Sequence, residues 1–142
     1  MMMMVPLLFA AASFAVPDLA AMDVAVAKCD RETVSAIFGA EPVRRSAFMT
    51  ELFNEQQAIF TGRRDVAARR QALRDASLDK SLPKPADSET ALAFESAALD
   101  ERQNALNDAR SLDNLRRDAL DAKRRLYLAQ CGGNGKLDKE QP

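Results

Sequence analysis

The sequence has no histidine and no tryptophan, and in 142 residues it has only one tyrosine, two cysteines and five glycines. Without histidine there is no Ser–His or Cys–His nucleophile pair and no imidazole-ligated zinc. Two cysteines cannot fill a four-cysteine zinc site, and five glycines leave little for a glycine-rich phosphate cradle. Charge of one sign is also missing: 20 Lys and Arg oppose 21 Asp and Glu, a net charge of -1. No net field therefore points to nucleic acid or an anionic membrane. The length fits one domain. What is abundant is alanine, 26 of 142 residues, alongside Leu, Arg, Glu and Gln, all strong helix formers. Paired carboxylates need a shaped cleft before their pKa values move, and a thin helical chain offers none. The expectation is a non-enzymatic protein with no cofactor, no metal and no small-molecule substrate.

Residues 1–21, MMMMVPLLFAAASFAVPDLAA, carry one charge, Asp18. The apolar run Val5–Val16 falls short of the roughly 20 residues that span a bilayer and suits the core of a secretory signal. Ala20–Ala21 reads as the cleavage point, with Ala25-Val26-Ala27 as a second small-residue candidate. The segment has no Lys or Arg at its start. Lys28 before Cys29 does not fit a lipoprotein signal. Export to the periplasm or medium is the first reading, and translation from Met22, giving a cytosolic coiled-coil protein, is the alternative.

Val43 to Asp79 holds no proline and one glycine, Gly62, and Ser88 to Gln130 holds neither. Two helices of roughly 55 and 65 Å follow. The link at 81–87, SLPKPAD, breaks the helix with two prolines. Asp87 or Ser88 is the expected N-cap of the second helix, and Gly132-Gly133 its stop. A short first helix is expected over Asp30–Phe38, ending at Gly39, with Pro42 opening the long one. The fold class is all-α: a long antiparallel, coiled-coil-like two-helix hairpin over residues 22–131. A polar, disordered tail follows at 132–142. Its CGGNGKLDKEQP lacks the carboxylates of the EF-hand loop it faintly resembles.

Leu52, Ile59, Val66 and Leu73 recur every seven residues, as do Leu92, Leu99 and Leu106, which marks paired helices. Near Ala109 the phase is read as shifting, so that Leu112, Leu115, Ala119, Ala122, Leu126 and Ala129 continue the seam. In an antiparallel pair this sets Leu73 opposite Leu92, Val66 opposite Leu99 and Ile59 opposite Leu106. Beyond the shift it sets Phe48 opposite Leu115 and Ile37 opposite Leu126. Cys29 and Cys131 then meet at the open end, where a disulfide would close a loop of about 100 residues. Charge agrees with this pairing. Five arginines against Asp65 make residues 63–74 locally +4, and five carboxylates make residues 87–101 locally -5. Such pairs select orientation more than they add stability.

Apolar residues remain beside the seam. Phe53 and Phe60 form a second line, which is expected to meet a protein partner or a second copy in a four-helix bundle. Arg116, Arg117, Arg124 and Arg125 make a basic patch that could meet an acidic partner, although the dipole at a helix C-terminus accounts for it more simply. The short entry Asp23-Val24-Ala25-Val26-Ala27 before a long helical hairpin resembles the architecture of periplasmic holdase chaperones of the Skp/OmpH type. The resemblance implies a chaperone or adaptor that holds unfolded clients between helical arms. Those chaperones are strongly basic and lack the cysteine bridge.

Overall fold

The computed structural model describes residues 14–132. Every regular element among them is helical: α1, Leu19–Ala27; α2, Arg31–Leu78; and α3, Glu89–Tyr127, which runs into a wider π-helical turn over Leu128–Gly132. The tail expected beyond Gly132 and the first thirteen residues of the expected signal lie outside the described residues.

Each helix begins on a side-chain cap. Asp18 accepts from the Ala21 amide at 2.9 Å, Asp30 from Thr33 at 3.1 Å and Ser88 from Ala91 at 3.1 Å. Each bond satisfies one of the amides that a helix start leaves without a partner. Ser88 takes the cap of α3, and Asp87 is instead ion-paired to Arg69.

Two expectations are corrected at the N-terminal end. The entry at Asp23–Ala27 is helical, not β-like, because the cap at Asp18 starts α1 ahead of it. The break expected between Gly39 and Pro42 is absent, and α2 runs through both without interruption for 48 residues. A proline inside a helix costs about 3 kcal/mol. Packing offsets that cost on both sides: Val34, Ile37 and Phe38 join one apolar cluster before Pro42, and Phe48 joins the next one after it.

The end of α1 explains how the chain reverses into α2. Cys29 donates its amide to the Val26 carbonyl at 3.2 Å, and Asp30 donates to Ala25 at 2.8 Å. This is the paired bonding of a Schellman turn. The first of these two residues must take a left-handed conformation, and Cys29 does so at φ 52°. Glycine usually fills such a position.

Contacts between α2 and α3 run in opposite directions along the chain. Arg44 bonds to Asp113, Glu55 to Arg102, Gln56 to Gln103 and Arg63 to Asp100. The apolar interior lies in three clusters along this line. One holds Val66, Leu92 and Leu99 with Leu73 at its edge, and one holds Phe48, Leu52, Ile59 and Leu106. The third packs α1 (Met22, Ala25, Val26) against Val34, Leu120 and Tyr127.

Leu99 faces Gly62 directly, one turn before Val66 on α2. A Cβ built on Gly62 would lie 2.8 Å from a Leu99 methyl. The absent side chain is what lets the helices approach here. Gly62→Leu is therefore expected to overpack the seam and cost about 1–3 kcal/mol, read as a lower urea midpoint with an unchanged slope. A variant as stable as the parent would refute this contact.

The expected phase shift does not occur. The buried positions of α3 keep a strict seven-residue step: Leu92, Leu99, Leu106, Asp113, Leu120 and Tyr127. Leu115 is 64% exposed, and Leu112 and Leu126 are each 46% exposed. The layers pairing Phe48 with Leu115 and Ile37 with Leu126 do not form, because the true seam passes through a buried aspartate.

Candidate functional site

Cys29 and Cys131 lie 5.5 Å apart in Cα distance and are bonded across a sequence separation of 102. The Schellman turn presents one cysteine and the π-helical turn presents the other. The bridge ties α1 to the end of α3 beside the Met22–Tyr127 cluster.

Asp113 is 4% exposed, the one charged residue among the buried residues described. Its carboxylate accepts from Arg44 Nη1 at 2.9 Å. Arg44 is held further by Glu41, through bonds of 2.6 and 3.0 Å, and donates to the Ala15 carbonyl at 3.1 Å. These carboxylates hold the Arg44 guanidinium above its ordinary range, Glu41 contributing most. A single guanidinium thus joins the segment before α1 to both long helices.

Around the turn end, Arg69 is the hub. It reaches Asp87 at 2.5 Å, Glu95 at 2.5 Å and Asp65 at 3.1 Å. The Asp87 bond contributes most to raising the Arg69 guanidinium, followed by Glu95 and Asp65. The same arginine holds the Asp87 carboxyl below its usual range. Hydrogen bonds from Thr33 lower Asp30, and hydrogen bonds from Ser81 lower Asp79. Groups lowered by folding stabilise it above their ordinary value of 3.8, and that contribution is lost as pH falls through the lowered values. Stability is therefore expected to hold between pH 5 and 7 and to decline below about pH 4. Urea midpoints across this range check it, and a midpoint that rises below pH 4 would refute it.

The expected partner residues fall in two separate places. Phe53 is 63% exposed and Phe60 54% exposed, and Met49 extends the same stripe one turn earlier. Arg64 lies over the Phe60 ring, 5.8 Å from its centroid. Arg116 and Arg117 are half-buried at the other end, while Arg124 and Arg125 are exposed. Arg124 sits 5.0 Å above Phe38, and Arg117 lines a groove with Phe38, Pro42 and Arg45. Arg117 and Arg124 thus both flank Phe38. Sequence reasoning missed a second groove, of about 520 Å³, lined by Gly62, Val66, Phe94, Ala98 and Leu99 and rimmed by Arg69, Glu95 and Arg102. Its signal was Gly62, the only glycine deep inside a helix pattern.

Among the described residues, no helix is long and apolar enough to cross a membrane. No group of three or more potential metal-binding side chains occurs among them either. No family model, curated protein or solved structure matches this chain.

Proposed function

We propose that the chain is an exported, non-enzymatic envelope protein that works through protein–protein contacts, as a disulfide-closed antiparallel hairpin. The observation that carries this reading is the exposed line Met49, Phe53 and Phe60 flanking the seam residues Leu52 and Ile59. Large apolar side chains exposed along one side of a helix favour association. A second copy docking on the stripe would complete a four-helix bundle. The bonded cysteine pair is compatible with an oxidising compartment.

A photo-crosslinking residue at position 53 or 60, with position 101 as an exposed control on α3, tests the surface in the native envelope fraction. Discrete adducts from 53 and 60 only are expected. Light scattering then identifies the adduct as a second copy or another protein. Equal labelling at all three positions, or none, refutes the reading. The groove at Gly62 and Phe94 favours a second reading, a holdase that seats short apolar segments of unfolded clients. Suppression of client aggregation that is lost in Phe94→Glu would support it.

A further inference from the structure

Resting on the export reading, we propose that the leader is cut between Ala15 and Val16, not within α1. The residues at this point are Ser13-Phe14-Ala15, a small residue on each side of a spacer, at the C-terminal end of the apolar run Val5–Val16. Export peptidases require that pattern. Pro17 disfavours helix at Val16, and residues 14–18 lie outside any helix.

The fold supplies the independent reason. Asp18 caps α1, Pro17 is buried, and the Met22 side chain is fully buried with Ala25 and Val26 against Leu120 and Tyr127. A cut after Ala21 would remove the cap and the first three residues of α1, and would set a new ammonium group on a residue of 0% exposure. A cut after Ala27 would delete α1 and its share of that cluster. Translation from Met22 would leave the same truncated helix. A cut after Ala15 keeps all of α1 and every charged residue. It removes the edge contact of Phe14 on Phe48 and one carbonyl partner of Arg44, which retains Glu41 and Asp113.

The full chain is expressed in an export-competent bacterial host, and the N-terminus of the exported fraction is read by intact mass and sequencing. Val16-Pro17-Asp18 is expected. Ala15→Leu should accumulate precursor, and Ala21→Leu should be processed like the parent. An exported chain beginning at Met22 or Lys28, or a block by Ala21→Leu alone, overturns the cleavage site and leaves export standing. A chain that stays cytosolic, whether unprocessed or starting at Met22, overturns the export reading and the site with it.

Discussion

Reducing the Cys29–Cys131 bridge is expected to lower the melting temperature by roughly 12–20 °C. The bond closes a loop of 102 residues. In the chain-entropy model a loop of that size contributes about 4–5 kcal/mol, with residual helix in the unfolded chain moving it to the lower end. The bridge joins the short α1 to the far end of α3, beside the packing of Met22, Ala25 and Val26 on Leu120 and Tyr127. Circular dichroism melts with and without reductant measure it, and coincident curves would refute it. Cys29 also allows a finer comparison. At φ 52° an L-residue carries a penalty on the order of 1 kcal/mol that glycine avoids. Cys29→Gly and Cys29→Ser both lose the bond, but the glycine variant should melt higher. Equal melting of the two variants would show that the turn carries no strain.

Replacing Arg44 by methionine is expected to cost about 3–5 kcal/mol, because it strands the Asp113 carboxylate in the seam. Asp113 has 6% of its side chain exposed and Arg44 is its one ion-pair partner among the described residues. The double variant Arg44→Met with Asp113→Leu should recover parental stability or exceed it. Leucine at 113 continues the series Leu92, Leu99, Leu106, Leu120, and a well-packed apolar layer commonly matches or outperforms a buried pair. Urea unfolding of the two single variants and the double variant forms a complete cycle. A single variant within 1 kcal/mol of the parent, or a double variant no better than Arg44→Met, would refute the account. The polar layer also fixes register. A slip of one heptad along α2 would set Asp113 against Ile37 in one direction or the like-charged Glu51 in the other.

The helical class and the main layers were legible because they depend on local and periodic features. Propensity, the Pro83 and Pro85 link and the Leu52–Leu73 and Leu92–Leu106 repeats are properties of nearby residues. The charge match between arginines 63–74 and carboxylates 87–101 was legible too, and it takes form in Arg63–Asp100 and Arg69–Glu95. The second half of α3 was misread for a definite reason. A hydrophobic pattern treats aspartate as solvent-facing, so the repeat reads as interrupted near Ala109, and leucines 112, 115 and 126 read as its continuation. Asp113 is tolerated inside because Arg44 arrives from 69 residues away. No local rule contains that partner.

The N-terminal end shows the same division. Gly39 and Pro42 read as a break, since each weakens a helix in isolation. The helix survives because Phe38 and Phe48 are packed against other elements. Residues 19–27 read as part leader and part strand until Met22, Ala25 and Val26 met Leu120 and Tyr127. An all-helical chain, its turn and its central layers follow from the sequence alone, because spacing and propensity act within a few turns. Only the tertiary structure decided that α2 is continuous, that the seam runs through an ion pair and that α1 belongs to the core. Each of these depends on burial supplied by residues remote in sequence.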